Sequence, residues 1–269
     1  MSDDKLVITK DEASLLKMEL ESVCYKTGYE FLAQHNGFRP CKMHMVLGLP
    51  GAGKSTLIRS IVIDFLRNNP KKNLYIWLSE ETVSEFKTGM LSHLDLIGSS
   101  SNVFVTSEQG MDKVTSTIFF EWLVEQSNLY GEGLFLFDNV TTSEVYNDKK
   151  PIEQTAFLKD MKKCTQELGF STLLVAHTGK SVNPNMLIDS NDVRGSSSIA
   201  NLCEFIYVLQ MFISSGVKTQ TLTLEKNRAY DTSCNRFILQ YDRCERIYSV
   251  DVPLTIEYLR DLSKKRDRI

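Results

Sequence analysis

Residues Gly48–Thr56 read Gly-Leu-Pro-Gly-Ala-Gly-Lys-Ser-Thr and decide the fold of this chain. The stretch fits the spacing G-x-x-x-x-G-K-[ST], in which glycines let backbone N–H groups wrap around phosphates. The pattern carries meaning only between a strand and a helix. Both are present, since the apolar run Met43–Leu47 precedes it and a helical pattern follows from Lys54 to Arg67. The sequence therefore predicts a P-loop that binds a nucleoside triphosphate, with ATP and Mg²⁺ as the expected ligands.

In the predicted P-loop, both backbone groups and side chains contact the nucleotide and its magnesium ion. Lys54 should reach the β- and γ-phosphates, and the Ser55 hydroxyl should hold the magnesium ion. The positive end of the following helix attracts the same phosphates. The residues expected to contact the nucleotide are Gly48, Pro50, Gly51, Ala52, Gly53, Lys54, Ser55 and Thr56.

Apolar runs alternate with helical patterns along the chain after the P-loop. Runs that are apolar without interruption suit strands that are covered on both faces. Strand–helix alternation predicts right-handed crossovers and an α/β fold, with a mostly parallel central sheet flanked by helices. The further strands expected are Leu74–Leu78, Val103–Val105, Leu134–Phe137 and Thr172–Ala176.

The pattern changes after residue 200, where short strands follow one another without long helices. This predicts antiparallel hairpins that extend the sheet at one edge. An apolar stripe between Asp11 and Gln34 predicts a helix ahead of the sheet. We therefore expect an N-terminal helical extension, residues 1–38, one ATPase domain, residues 39–269, and no further N-terminal module. The hairpin strands expected are Phe205–Leu209, Thr219–Glu225, Arg236–Tyr241 and Arg246–Val250.

Acidic residues follow two of the predicted strands. The run Leu134–Phe137 ends in Asp138, which would face the phosphates and bind magnesium through water; the alternative is an aspartate that caps the following turn. Because Asn139 follows it, the acid that many P-loop ATPases carry there is missing, and the carboxylate that activates water must come from elsewhere. Glu80 or Glu81 can supply it if their strand lies beside the P-loop strand. Otherwise they are the acidic start of a helix.

The composition excludes several classes of protein. A chain of 269 residues that is 42% hydrophobic and 24% charged suits a globular protein. Its net charge of −3 argues against a basic nucleic-acid coat but permits a local basic channel. The six cysteines form no C-x-x-C pair, so no zinc site is expected. The polar N-terminus and the short apolar runs indicate a cytoplasmic protein without a membrane partner.

In the order and spacing of its motifs, the sequence resembles the RecA-like ATPases, over about residues 40–250. It is most similar to the hexameric replicative helicases of the DnaB, plasmid RepA and phage primase-helicase types. Leu78–Thr82 resembles the second-strand motif, whose glutamate is the catalytic base in that class, and Glu80 aligns best with it. Leu174–Lys180 resembles the motif in which a polar residue ends the strand beside the aspartate. The resemblance implies that His177 senses the γ-phosphate; the alternative is a histidine satisfied within the core.

Two later segments extend the resemblance. Asp192–Ile199 is similar to the LRGSG segment of these helicases, and Glu225–Arg228 is similar to their K-x-R motif. The resemblance implies that Lys226 reaches the nucleotide of a neighbouring subunit and that Arg228 acts there as an arginine finger. The family usually has glycines after this motif, whereas Ala229–Thr232 follows here, which weakens the finger assignment. The alternative is a basic pair that protects an edge strand.

Two further segments, Val140–Pro151 and Thr178–Val193, are predicted to be flexible loops on the active-site side. In the helicases, loops at these positions hold the phosphates of single-stranded DNA. A few lysines per subunit become a ring of charge in a hexamer, although plain solvated loops are the alternative. Tyr146 is their only aromatic residue, so base stacking is not expected. The residues expected to contact DNA are Lys149, Lys150, Lys180 and Arg194.

These features together predict an ATP-hydrolysing, ring-forming helicase or translocase that acts on single-stranded DNA in replication. Its catalytic residues would be Lys54, Glu80, His177 and Arg228, with Ser55 and Asp138 as the metal ligands. One alternative is a RecA-like recombinase, loader or regulatory assembly module that does not unwind. Another is a nucleotide-binding scaffold with weak hydrolysis. A small lone core of this type suggests a phage or plasmid origin.

Overall fold

A computed structural model of the protein describes most of the chain. The described residues are 24–34, 36–93, 95, 102–147, 149–179, 186–214, 217–228 and 236–257. Two of the positions named above, Lys180 and the segment Ala229–Thr232, lie outside these ranges, as do residues 11–23 of the predicted N-terminal helix. Within these ranges, no helix is both long enough and apolar enough to cross a membrane.

Nine strands of the described chain form one sheet in the order β3-β2-β4-β5-β1-β6-β7-β8-β9. The six strands from β3 to β6 are parallel, whereas β7, β8 and β9 are added as antiparallel hairpins. This confirms the predicted α/β class and the hairpins at one edge. The strands are β1 (Lys42–Gly48), β2 (Asn73–Leu78), β3 (Val103–Ser107), β4 (Gly133–Asp138), β5 (Ser171–His177), β6 (Phe205–Ser214), β7 (Val217–Asn227), β8 (Arg236–Asp242) and β9 (Ile247–Val250).

Helices connect the parallel strands. The capping residues account for two helix starts, since Thr82 and Thr115 each accept a hydrogen bond from the backbone N–H three residues later. Residues 252–257 are also helical. The helices are α1 (Glu30–Ala33), α2 (Lys54–Asn68), α3 (Val83–Gly89), α4 (Ser116–Tyr130), α5 (Pro151–Glu167) and α6 (Ser198–Leu202), with 3₁₀ turns at Leu91–His93 and Ser190–Asp192.

Successive side chains of the central strands alternate between two hydrophobic cores, one on each face of the sheet. In β4, Leu134 and Leu136 belong to the core beneath α2, whereas Phe135 and Phe137 belong to the core beneath α4 and α5. Alternation of this kind is the period-two geometry of a strand, and burial on both faces explains why these strands are apolar throughout.

The described part of the N-terminal region packs into the first of these cores. Among residues 24–34 only α1 is helical, so the helix predicted as far as Gln34 does not include residues 24–29. Tyr25 and Phe38 pair as an isolated antiparallel bridge, and both are buried with Phe31. The backbone N–H of Gly28 donates to Asp64 of α2 at 2.8 Å, which ties this segment to the helix that begins at Lys54.

Candidate functional site

The carboxyl ends of four parallel strands bring the predicted site residues together. Gly48 at the end of β1 pairs with His177 at the end of β5, and Leu78 at the end of β2 pairs with Asp138 at the end of β4. In open α/β sheets, ligands bind outside this edge. Glu80 lies two residues beyond β2, and so it reaches the same edge as the loop that follows β1.

The strand order corrects one condition of the sequence analysis. A catalytic role for Glu80 or Glu81 was made conditional on their strand lying beside the P-loop strand, but β4 and β5 lie between β2 and β1. Glu80 nevertheless extends across the end of β4 to His177 on β5. The distance from Glu80 Oε1 to His177 Nε2 is 2.9 Å. The site is therefore assembled through β5, which lies directly beside β1 and carries the His177 that contacts Glu80.

The glycine-rich loop, Leu49–Gly53, contains two glycines with positive φ angles. Gly51 and Gly53 have φ angles of +74° and +89°, a region that residues with a Cβ rarely adopt. Gly53 is the N-cap of α2 and provides no side-chain cap, so the first N–H groups of the helix are available to an anion. Pro50 and Gly51 are exposed, whereas the Lys54 side chain is buried beneath the loop.

The Lys54 ammonium is held by three acceptors. Its Nζ donates to the carbonyl oxygens of Gly48 at 3.1 Å and Leu49 at 2.9 Å, and lies 2.8 Å from His177 Nδ1. An ammonium group has three hydrogens, so these contacts use all of them. Burial lowers the pKa of Lys54 to about 8, although the nearby carboxylates of Asp138 and Glu80 favour its charged form.

His177 links Lys54 to Glu80. Because a charged lysine can only donate, His177 Nδ1 accepts from it, and the ring proton is assigned to Nε2, which donates to the Glu80 carboxylate. This hydrogen bond lowers the pKa of Glu80, and the Thr142 hydroxyl adds to the effect. The result is a continuous chain from the glycine-rich loop to a carboxylate that is held in its ionised form.

Asp138 lies beside this chain as a buried carboxyl group. It is only 7% exposed, and burial, together with the neighbouring Glu80 and Glu81, raises its pKa to about 7. A carboxyl group that is costly to ionise on its own is a fitting ligand for a cation, which would remove that cost. Asp138 and Ser55 are therefore compatible with the predicted metal role.

Glu81 forms an ion pair with α2. Its carboxylate is 2.5 Å from Arg59 Nη2 on α2, so it is already paired with a charged group. Burial raises the pKa of Glu81, partly offset by Arg59. Of the two glutamates that the sequence left open, only Glu80 joins the chain of hydrogen bonds to Lys54.

The segment Val140–Pro151 was predicted to be a flexible loop on the active-site side, and this prediction is wrong for residues 140–146, most of which are buried. Val140, Val145 and Tyr146 are at most 1% exposed and pack into the core beneath α4 and α5. The Tyr146 hydroxyl accepts from the backbone N–H of Ser196 at 3.0 Å. The Asn139 side-chain oxygen accepts from the N–H and the hydroxyl of the second residue after it, which fixes the turn beside Asp138.

The basic residues expected at DNA fall into different environments. Lys149 and Lys150 are exposed just before α5, and Lys180 lies outside the described residues. Arg194 is half-buried, and its Nη2 donates to Asn147 at 3.0 Å, so it ties two segments of the protein together. The structure therefore leaves Lys149 and Lys150 as exposed cations, whereas Arg194 is a structural contact.

Lys226 and Arg228 lie at the opposite edge of the sheet. Because β7 runs antiparallel to β6, its end at Asn227 is level with His44 in β1, roughly 13 Å along the strand direction from Gly48. Lys226 Nζ donates to the Ala200 carbonyl oxygen at 2.6 Å at the end of α6. The two cations therefore do not join the site of their own chain, and their role at a neighbouring nucleotide stays a prediction.

Two residues at the glycine-rich loop carried no signal in the sequence. Gln220 Nε2 on β7 donates to the Ala52 carbonyl oxygen at 3.0 Å. Tyr248 on β9 places its hydroxyl so close to Gly53 that a Cβ there would lie 2.5 Å from it. The hairpin strands therefore form one wall of the loop, and only the antiparallel pairing of distant strands reveals this.

A metal ion would not be held here by protein ligands alone. In the described part of the chain, no three His, Cys, Asp or Glu side chains cluster closely enough to hold a metal ion. An ion bound by Ser55 and Asp138 would complete its coordination with phosphate oxygens and water, as magnesium commonly does.

Comparison with known proteins adds no assignment to this geometry. No family model matches the chain, and no curated protein matches it.

Proposed function

We propose that this protein is a RecA-like ATPase that requires magnesium. The observation that carries the proposal is the chain of hydrogen bonds from Lys54 through His177 to Glu80, next to the buried Asp138. A binding loop, a cation for phosphates, a metal ligand and an ionised base are the parts that triphosphate hydrolysis requires. The glycine-rich loop and these four side chains meet at one edge of the sheet.

Each residue has a distinct part in the proposed reaction. The amides of the glycine-rich loop and of the first turn of α2 bind the phosphates, and Lys54 neutralises their charge. Ser55 and Asp138 hold magnesium, which supplies further charge neutralisation when it is bound. Glu80 accepts a proton from the attacking water or orients it, since its carboxylate is ionised at neutral pH.

His177 connects nucleotide binding to the base. Lys54 has no hydrogen left for a phosphate while it donates to both carbonyl groups and to His177. Binding of the triphosphate must therefore break at least one of these contacts. Release of His177 Nδ1 would leave the imidazole free to accept from another donor while its Nε2 remains with Glu80.

Replacement of Glu80 tests the ATPase proposal. Glu80→Gln should lower kcat for phosphate release by about 10²–10⁴-fold while the affinity for ATP stays within a few-fold. Glu81→Gln is the matched control, because Glu81 is the adjacent glutamate and pairs with Arg59. Hydrolysis that survives in Glu80→Gln and disappears in Glu81→Gln would assign the base to Glu81. A wild-type protein that neither binds nor hydrolyses ATP would refute the proposal.

We further propose that copies of this chain assemble into a ring, a hexamer by resemblance, that moves along single-stranded DNA. This proposal rests on the resemblance. Arg228 is exposed at the sheet edge opposite the glycine-rich loop, so as a finger it could serve only the site of another copy. An arginine finger supplied by a neighbour increases hydrolysis by about 10³–10⁵-fold in GTPases.

Mixing two inactive variants tests the shared site. Arg228→Ala lacks the finger and Glu80→Gln lacks the base, so each should be inactive alone. In a mixed assembly, a Glu80→Gln copy would donate its finger to a site that retains the base, and part of the activity should return. Absence of any recovery, together with an ATPase rate that single-stranded DNA does not change, would remove the ring translocase proposal and leave the ATPase.

A further inference from the structure

Glu108 is a buried carboxylate that has no part in the proposed chemistry described above. It follows β3, its side chain is only 6% exposed, and its backbone N–H donates to the Leu78 carbonyl oxygen at 2.8 Å. Burial of a carboxylate is costly unless its oxygens are satisfied. The buried Glu108 carboxylate therefore needs hydrogen-bond donors around both of its oxygens.

Three donors from two different segments converge on the Glu108 carboxylate. Trp77 Nε1 on β2 donates to Oε1 at 2.7 Å, and the Ser143 hydroxyl donates to the same oxygen. The backbone N–H of Glu144 donates to Oε2 at 3.1 Å. All three donors are neutral, and the described residues include no ion pair with Glu108. The carboxylate thus clamps β2 to the segment 139–147 by hydrogen bonds alone.

The clamped segment contacts both partners of the Glu80–His177 pair. The Thr141 hydroxyl accepts from the backbone N–H of His177 at 3.0 Å. The Thr142 hydroxyl lies 3.0 Å from Ser79 Oγ, one residue before Glu80, and it helps to lower the pKa of the Glu80 carboxylate. Residues 141 and 142 immediately precede the serine that Glu108 holds.

The residues on either side of Glu108 hold the segment that carries Glu80. The Ser107 hydroxyl donates to the Glu81 carbonyl oxygen at 2.7 Å, and Gln109 Nε2 donates to the Ser79 carbonyl oxygen at 2.9 Å. The end of β3 therefore fixes the backbone around Glu80 on one side and, through Glu108, the threonine hydroxyls on the other.

We propose that Glu108 is a positioning residue for ATP hydrolysis, which orients Glu80 and His177 through Ser143 and the two threonines before it. The inference rests on the proposed ATPase function. It deepens that function by assigning a role to a residue that touches neither nucleotide nor metal. The side chain must be a carboxylate because three donors require two acceptor oxygens. A glutamine would present one oxygen and one NH₂ group, and the NH₂ group would face a donor.

The test compares Glu108→Gln with the wild type in steady-state ATPase assays. We expect kcat to fall by about 10- to 100-fold, the effect of a misplaced reacting group, while KM changes less than about twofold. The exposed Glu125→Gln on α4 makes the same change of charge and should keep the wild-type kcat. Titration with nucleotide measures the concentration of folded binding sites. A smaller amount of folded protein is then not mistaken for a lower kcat.

A second variant keeps the proposal testable if Glu108→Gln folds poorly. Ser143→Ala removes one donor and leaves the carboxylate with Trp77 and the Glu144 amide, so kcat should fall in the same direction by a smaller factor. Because both changes act on the same carboxylate, their effects should not be independent, and the double variant should lose less kcat than the product of the two single losses. A double variant whose losses multiply, or single variants whose kcat equals that of Glu125→Gln, would overturn the proposal.

These outcomes separate the inference from the function on which it rests. If the wild type hydrolyses ATP and Glu80→Gln does not, while Glu108→Gln retains full kcat, then only the positioning role is wrong. If the wild type hydrolyses no ATP, the ATPase proposal fails and the positioning role fails with it.

Discussion

Replacement of Asp138 by asparagine should stabilise the protein without nucleotide and remove its activity. Asparagine has nearly the same shape as a protonated aspartate, and it carries no charge to bury. In the wild type, burial raises the pKa of Asp138 from 3.8 to about 7. The folded state therefore binds this proton more tightly than the unfolded chain does. The stability that results is complete below about pH 3.8 and is lost progressively as the pH rises from there through about pH 7.

The size of the effect follows from the two pKa values. Between about pH 5.5 and about pH 8, Asp138 alone should cost the wild type about 2 kcal/mol of unfolding free energy. Asp138→Asn should show no such loss. Urea unfolding, followed by tryptophan fluorescence at both pH values, measures the difference between the two profiles. The two proteins share all their other titratable groups. Subtracting the change in unfolding free energy of one protein from that of the other therefore removes the contribution of those groups.

Two additions make this experiment decisive. Asp160→Asn, at an exposed position on α5, should keep the wild-type profile because its carboxylate is solvated in both states. Magnesium with ATP should restore stability to the wild type at about pH 8, since a bound cation removes the cost of the charge, and should do less for Asp138→Asn. Parallel stability profiles for the wild type and Asp138→Asn would refute the placement of a high-pKa carboxyl group at this edge.

Three further changes probe the chain that begins at the glycine-rich loop. Lys54→Met should weaken ATP binding at least about tenfold by calorimetry, and wild-type binding should weaken above about pH 8, where Lys54 loses its proton. His177→Asn should lower kcat about 10- to 100-fold with ATP affinity retained; equal losses in both would make His177 a binding residue. Gly53→Ala should destabilise the protein by about 1–3 kcal/mol in urea unfolding, because the φ angle is +89° and Tyr248 blocks the Cβ; an unchanged midpoint would contradict the geometry of the loop.

The strands and the candidate site residues could be predicted because both depend on local patterns. A strand buried on both faces is apolar throughout, so the polar residue that ends it stands out, as Asp138 and His177 do. The motif around Lys54 has a fixed spacing for the same chemical reason in any fold. Bounds of the central strands were predicted to within one or two residues of the structure.

The order and direction of the strands could not be read from these patterns. No local feature of Ser171–His177 indicates that this strand separates β1 from β4, because a crossover of similar length can reach several positions in a sheet. Lys226 was assigned to the nucleotide of a neighbouring subunit, and only the antiparallel direction of β7 shows that it lies at the edge opposite the glycine-rich loop of its own chain. Tyr248 reaches Gly53 only because a hairpin folds back onto α2.

The segment 139–147 was misjudged for a different reason. Its polar residues suggested a solvated loop, but Val140, Val145 and Tyr146 form a small apolar set that packs beneath α5. The polar residues between them, above all Asn139 and Ser143, satisfy backbone and carboxylate groups in the interior. Polarity here marks an internal hydrogen-bond network, which composition alone does not distinguish from a surface loop.

A structure of the protein with a non-hydrolysable ATP analogue and magnesium tests the central claim most directly. We expect the phosphates to lie on the glycine-rich loop and Lys54 Nζ to leave His177 Nδ1 for a phosphate oxygen. His177 should keep its contact with Glu80, and Asp138 should face the metal. A nucleotide bound elsewhere, with Lys54 still donating to the Gly48 and Leu49 carbonyl groups, would contradict it.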